Sequence, residues 1–290
     1  MGNRQFYMGE EVRCGFVVSE KRKKIWKTQL DIAQEVKRIC EKHHIKYFIV
    51  WGTLLGAVRH KGYIPWDDDF DIAFLRGDFE KFCKIAGKEI KQPLFYQDAL
   101  SDREYFIGYA RIRDSRTTAW ILENPSPTYN NGIYIDLYPL DVFPQKEFIW
   151  GAQRFVINFL LKSLAANRKS RGNDRVYRAL VHLHKLCCMA FNWEKNPKKI
   201  GSLYRPDEVE EGYCFYAKDV KKIVELPFEN TTFPAPAGYR NLLKTVYGDY
   251  EKLPPKRKRG VWHSGQVVFE PDMSYQEFYK MKRKGRIDNE

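Results

Sequence analysis

Residues 67–74 read DDDFDIAF, and this stretch constrains the fold more tightly than any other. Phe70, Ile72 and Phe74 alternate with Asp69, Asp71 and Ala73. A period of two predicts a strand with one face buried and the other carrying carboxylates. Residues two apart on a strand point the same way, with α-carbons ~6–7 Å apart, so Asp69 and Asp71 aim at one point. Two carboxylates that close repel, and one must take up a proton unless a cation neutralises them. Oxygen ligands of this kind favour Mg²⁺ or Mn²⁺, ions that also hold substrate phosphates. Asp67 and Asp68, just before the pair, fit a solvated turn or a helix cap as well as they fit a site.

The flanking segments set this strand in an α+β frame. A helix is expected over 20–43, opened by Ser19 or Glu20. There Ile25, Ile32 and Ile39 recur every seven residues beside Trp26, Ala33 and Cys40. YFIVW (47–51) reads as a short buried strand, followed by Gly52-Thr53 and the small helical run LLGAVRH. Backbone N–H groups at that helix start, with the Thr53 hydroxyl, can cradle a phosphate, although threonine is also an ordinary helix cap. A helix follows at 77–90, and 105–122 looks extended. In GIYIDLYPLDVFP (132–144), Ile133, Ile135 and Leu137 face one way and Tyr134, Asp136 and Tyr138 the other, with Pro139 and Pro144 ending the strand. The pattern is helical from about 146 to 193, with a break at RKSRGND, and again over 237–255, ending near Gly248. The expected architecture is a small mixed sheet carrying the carboxylates, helices packed around it, and a largely helical C-terminal half.

With 43% hydrophobic and 15% aromatic residues the chain can bury a sizeable core, which excludes a disordered protein. A net charge of +13 points to an anionic partner: a phosphorylated substrate, nucleic acid or an acidic membrane surface. Nucleic acid is the weakest of these. No zinc-finger or RRM signature occurs, and a strand-borne carboxylate pair repels phosphate unless a metal intervenes. The six cysteines form no CxxC pair, the first residues lack the apolar core of a secretion signal, and no apolar run reaches the ~18 residues of a membrane span. A cytoplasmic protein is expected, soluble or held peripherally on the inner face of the membrane.

A strand, a Gly-Thr at a helix start and then a D-x-D pair follow the plan of DNA polymerase beta-like nucleotidyltransferases. Residues 47–75, YFIVWGTLLGAVRHKGYIPWDDDFDIAFL, closely resemble the LicD family pattern GTLLGA-x-RH-x-G-x-IPWDDD-x-DI. The resemblance continues through ARIRDSRTT (110–118), GIYIDLYPLD (132–141), FPAPAGYRNLLKTVYGDY (233–250) and LPP (253–255), and so spans about 25–263. Trp51 stands where the family often has a second glycine, and Phe70 replaces a more usual aliphatic residue. The resemblance implies a catalytic domain over 20–265 with a helical subregion at about 146–230, between an N-terminal extension (1–19) and a tail (266–290). It implies transfer of phosphocholine or a related phospho-alcohol from a CDP-linked donor to a sugar hydroxyl of a surface glycan or teichoic-acid precursor, which can be lipid-linked, with CMP released. It also implies that Asp136 is a third catalytic and metal-binding carboxylate beside Asp69 and Asp71. A nucleotidyl transfer from an NTP, releasing pyrophosphate, is the alternative on the same fold.

Several further residues suit such chemistry but have plain structural readings too. Arg59, His60, Arg111 and Arg113 can neutralise phosphate oxygens or can pair with the aspartates, and His263 can contact phosphate. Tyr63, Trp66, Tyr134 and Tyr138 can form an aromatic cage for a quaternary ammonium group or can belong to the core. In LVHLHKLCCMAF, His182, His184, Cys187 and Cys188 suit a packed core helix better than a zinc site, because one helix cannot turn all four to one ion. FIWGAQRFVINFLLKS (148–163) fits a helix lying on an anionic membrane as well as a buried one.

Overall fold

The computed structural model describes residues 5–105, 108–122, 129–204, 214–260 and 266–285. A hairpin, β1 (Glu11–Arg13) and β2 (Phe16–Val18), leads into helix α1 (Glu20–Lys42). There follow β3 (Phe48–Ile49), α2 (Trp51–Arg59), β4 (Asp71–Leu75), α3 (Arg76–Glu89), β5 (Leu94–Gln97), β6 (Ala110–Asp114), β7 (Thr118–Ile121) and β8 (Ile133–Val142). The second half holds α4 (Glu147–Lys169), α5 (Asp174–Met189), β9 (Lys199–Gly201), β10 (Cys214–Tyr216), β11 (Ile223–Phe228), β12 (Thr231–Pro236), α6 (Tyr239–Tyr247), β13 (Val267–Glu270) and α7 (Tyr275–Arg283). The architecture is α+β. Its principal sheet is mixed and seven-stranded, with β8 paired to β4 in parallel and to β6 and β9 antiparallel.

Helix α1 is built as its pattern predicts. Ser19 Oγ accepts from the Arg22 N–H, Glu20 favours the positive helix start, and Trp26, Leu30, Ala33, Val36 and Ile39 are buried. Strand β8 is buried along its whole length, so its aliphatic face meets the core while Tyr134, Asp136 and Tyr138 face a cavity. Behind β4, Phe70 packs edge-on against Tyr63, Phe228 and Phe233, which ties the β11–β12 hairpin to the sheet.

Five expectations change. Pro139, expected to help end the strand over 132–144, lies inside β8, paired with Phe74 of β4. The strand expected at 47–51 shrinks to Phe48–Ile49, because Trp51, with φ +44°, already opens α2. The acidic strand begins only at Asp71, so Asp69 lies in the approach to it rather than on it. The extended stretch 105–122 divides into β6, in the main sheet, and β7, which pairs with β13. The C-terminal half holds strands as well as helices: Pro227, Pro234 and Pro236 obscured the β11–β12 hairpin, since proline argues against a strand unless its missing donor faces outward.

Both ends of the described chain are packed. Arg13 donates to both Glu229 carboxylate oxygens, at 2.5 and 2.9 Å, and Phe278 of α7 is buried against Trp120. No helix among the described residues is long and apolar enough to cross a membrane. Helix α2 is pressed onto the following loop at Gly56, where an added Cβ would lie 2.4 Å from the Gly62 carbonyl oxygen. Neither backbone can yield cheaply, so Gly56→Ala is expected to destabilise by about 2 kcal/mol or more, measured as a lowered midpoint in urea unfolding.

Candidate active site

Three neighbouring strands lay the central groups in a row. The register sets Asp71 of β4 beside Asp136 of β8, and Asp136 opposite Arg111 of β6. Arg111 grips Asp136 through Nε to Oδ1 and through Nη2 to Oδ2 at 3.2 Å, and the Tyr138 hydroxyl donates to the same Oδ2 at 3.3 Å. Burial disfavours the Arg111 charge, yet Asp136 raises its pKa well above the ordinary guanidinium value. Its remaining nitrogen, Nη1, has no hydrogen-bond partner among the described residues.

Helix α1 holds the acidic loop before β4. Arg22 Nη1 and Trp26 Nε1 donate to the Asp67 carbonyl at 2.8 and 3.0 Å, and Gln29 Nε2 donates to that of Asp68 at 2.8 Å. These residues sit at i, i+4 and i+7, so they share one helix face. With the carbonyls tied to α1, the Asp67 and Asp69 side chains line the cavity with Asp71 and Asp136. Burial, with Asp68 and Asp71 beside it, pushes the Asp67 carboxyl up to about 7. Asp71 is raised well above the carboxylate range by burial first, then by Asp69 and Asp136.

Gly52 puts the first turn of α2 against this cluster. A Cβ there would meet Asp67 Oδ2 at 2.8 Å and Asp69 Oδ1 at 3.7 Å. Gly52→Ala should therefore fold normally but displace Asp67, lowering turnover by about tenfold, the scale expected when a catalytic geometry slips by a fraction of an ångström. Paired steady-state kinetics and melting curves check this.

The cavity holds about 1000 Å³. Its rim includes Trp66, Arg59 and the segment around Tyr247, Asp249, Tyr250 and Lys252, and its inner wall holds Trp51, Tyr109, Tyr138, Tyr204 and Ser202. The aromatic rings of that wall pack at 4.4 to 5.9 Å between centroids across the Trp51–Tyr138, Tyr109–Tyr138, Tyr109–Tyr204 and Tyr138–Tyr204 pairs. Ser202 Oγ is buried there without a hydrogen-bond partner among the described residues.

Not every expected residue reaches the cavity. Thr53 is buried, and its Oγ1 accepts from the Asp71 N–H at 2.8 Å, so it sets the start of β4 instead of lining the site. Arg113 is fully buried behind Tyr134, donating to Gln97 Oε1 and the Gly132 carbonyl. Arg59 lines the cavity but already donates to the Tyr250 and Lys252 carbonyls and to His60 Nε2. Burial and then Arg59 hold the His60 pKa down at about 4, so the ring is a neutral acceptor at physiological pH that orients Arg59. His263 lies outside the described residues.

The aromatic cage is not assembled either. Tyr63 stacks on Trp26 at 4.7 Å and is walled in by Phe70 and Phe228, because its hydroxyl is drawn to the Trp26 carbonyl. Trp66 and Tyr134 line the cavity, each with an arginine already against its ring: Arg259 at 5.4 Å and Arg111 at 3.8 Å. In α5, His184 and Cys188 are buried core residues, and burial lowers the His184 pKa to about 4.

Sequence reasoning left Asp67 open between a turn and the site, and missed the α1 clamp, Tyr109, Ser202, Tyr204 and the rim at 247–255. Only the clamp left a readable cue: Gln29, a polar residue inside an apolar helical stripe.

Whether a divalent cation suits the site can be judged from its charges. Asp67, Asp69, Asp71 and Asp136 line one cavity, with Arg111 paired to Asp136 and Arg22 near Asp67, and burial first, then the neighbouring acids, raises the Asp67 and Asp71 carboxyls. The donor set therefore fits a hard cation held by Asp69 and Asp71. No three His, Cys, Asp or Glu side chains among the described residues form a ready-made ion cage, so substrate oxygens would have to complete the shell.

A mixed sheet with aligned carboxylates beside a helix start agrees with the nucleotidyltransferase-type domain that the motifs led us to expect. Residues 44–154 match the LicD/FKTN/FKRP nucleotidyltransferase domain, and the resemblance seen in the motifs is thereby shown. The chain is 26% identical over 250 residues to the lipopolysaccharide cholinephosphotransferase LicD of Haemophilus influenzae, covering 81% of this chain and 92% of that protein. An uncharacterised protein of Rickettsia typhi is 46% identical over 116 residues, 40% of this chain and 35% of its own length. The mouse ribitol 5-phosphate transferase FKRP is 25% identical over 109 residues, 38% of this chain and 19% of that protein.

Proposed function

We propose that the protein transfers a phospho-alcohol group, of the phosphocholine or ribitol-phosphate kind, from a CDP-linked donor to a glycan hydroxyl. The observation that carries this reading is the alignment of Asp71, Asp136 and Arg111 across three strands in one cavity, with Asp69 and Gly52 beside them. The two named relatives that transfer phosphorylated alcohols support it.

Asp69 and Asp71 would hold Mg²⁺ or Mn²⁺, which would neutralise the pair and draw charge from the donor diphosphate. Arg111 Nη1, without a hydrogen-bond partner among the described residues, would donate to a non-bridging oxygen of the transferred phosphate. Asp136, held in place by Arg111 and Tyr138, would orient the acceptor hydroxyl and take its proton. The new bond joins the acceptor oxygen to the distal phosphorus, and the bond from that phosphorus to CMP breaks with its electron pair leaving on CMP.

Incubation with Mg²⁺, a panel of CDP-alcohols and lipid-linked or phosphorylated sugars, with CMP release assayed, tests the reading. CMP released only when donor and acceptor are both present is the expected result. Pyrophosphate from an NTP, with no CMP from any CDP-alcohol, would replace it with nucleotidyl transfer.

A further inference from the structure

We propose that the α4–α5 hairpin is a docking face for an anionic lipid bilayer. Helix α4 buries Gln153, Ile157, Leu160 and Leu164 and leaves the opposite stripe outside. On that outer stripe Phe148, Phe155 and Phe159 are 74%, 73% and 61% exposed. They stand at i, i+7 and i+11, so they lie along one side of the helix. The same stripe continues at i+14 and i+21 as exposed Lys162 and Lys169. Helix α5 likewise buries Tyr177, Val181, His184 and Cys188 and exposes Leu183 and Leu186, and Trp193 beyond its end is 76% exposed. The Trp193 indole N–H already donates to the Ala190 carbonyl, so the ring stands out without an unmet polar group.

Exposed phenylalanines in series are costly in water and ask for a cover. The charge around them selects it. Residues 146–190 contain nine Lys and Arg against two acids, Glu147 and Asp174, and Asp174 is paired with Arg103. A second copy would set this positive segment against itself. A surface with a negative rim and an apolar interior suits both features, and an anionic bilayer has that profile, accepting aromatic rings at its interface and lysines at its headgroups.

The face is rigidly tied to the site. Asn192, just past α5, donates to Asp141 Oδ1 at 2.6 Å and accepts from the Val142 N–H at 2.7 Å, at the end of the strand that carries Asp136. Arg76 clamps Asp141 from the other side. A docked hairpin would thus hold β8 and its cavity at a fixed place relative to the membrane.

Flotation with vesicles of phosphatidylcholine alone, and of phosphatidylcholine with phosphatidylglycerol, tests this without any substrate and so independently of the proposed reaction. Binding to the anionic vesicles is expected to exceed binding to the neutral ones by about tenfold or more and to weaken with salt. The double variant Phe155→Ser/Phe159→Ser should lose about tenfold or more of that binding with an unchanged melting temperature, since both side chains are already in solvent. Lys162→Glu/Lys169→Glu should lower it on anionic vesicles alone. Absent binding, equal binding to both vesicle types, or a phenylalanine double variant that binds like the wild type would overturn the proposal. A dimer in solution that this double variant breaks into monomers would overturn it too, by assigning the face to a second copy.

Discussion

Asp71→Asn is expected to lower turnover by about 10³-fold or more while leaving the metal-free protein equally or more stable. The first effect follows if Asp69 and Asp71 share a cation, because losing one ligand forfeits several kcal/mol of charge stabilisation in the transition state. The second follows from the carboxylate's surroundings. Burial, Asp69 and Asp136 hold the folded Asp71 pKa well above its unfolded value. An acid raised in this way favours the folded state fully at low pH, while it is protonated in both states, and that contribution is lost as pH rises through the folded pKa. Asp67, raised to about 7, acts in the same sense. The metal-free wild type should therefore lose stability between about pH 4 and pH 7, and the gain in melting temperature from Asp71→Asn should be larger at pH 8 than at pH 4. Mg²⁺ should raise the wild-type melting temperature at pH 8 and do little for the variant. Near-normal turnover of Asp71→Asn at saturating substrate, or a chelator without effect, would remove the cation from the proposed chemistry.

Much of this arrangement was legible because local pattern and tertiary role coincide. In 133–138 the aliphatics alternate with Tyr134, Asp136 and Tyr138, and a strand converts that alternation directly into a core face and a cavity face. In α1 the seven-residue recurrence marks the buried side, and Ser19 marks the start. Where the reading failed, a long-range contact outweighed the pattern. DDDFDIAF alternates as a strand should, but Arg22, Trp26 and Gln29 capture the Asp67 and Asp68 carbonyls, so the ladder starts only at Asp71. Thr53 resembles a phosphate ligand in sequence, and only the fold reveals the Asp71 N–H that it receives. Tyr63 lies between Gly62 and Ile64 like a loop aromatic, yet Trp26, thirty-seven residues earlier, stacks on it and takes it into the core. Arg111 and Arg113 are equivalent by spacing. Both lie against the Tyr134 ring, but Asp136 stands opposite the first and pairs with it, whereas the second donates to Gln97 and the Gly132 carbonyl. The cavity rim at 247–255 carried motif matches but no periodicity from which a role could be read.

Asp136→Asn should behave differently from Asp71→Asn in both stability and binding. Asp71 sits among other carboxylates, whereas Asp136 is the counter-charge of a buried arginine. Removing one partner of a buried ion pair strands the other, at a cost of about 3 kcal/mol or more, so the melting temperature should fall where Asp71→Asn leaves it level or raises it. Pairing it with Arg111→Gln should recover part of that loss, because no buried charge then remains unpaired. Turnover should fall by about 10²-fold or more in Asp136→Asn and should not return in the double variant, since neither contains the carboxylate proposed to take the acceptor's proton. Donor binding separates this role from that of a metal ligand. With Asp69 and Asp71 intact, calorimetric titration of a CDP-alcohol in the presence of Mg²⁺ should give nearly wild-type affinity for Asp136→Asn and a large loss for Asp71→Asn. If donor binding disappears in both, Asp136 belongs with the cation-holding pair. If Asp136→Asn turns over normally, the Arg111–Asp136 contact is a fastening between β6 and β8, and the proton acceptor must be sought among the other groups lining the cavity, with Asp67, raised to about 7 and beside Gly52, the first to test.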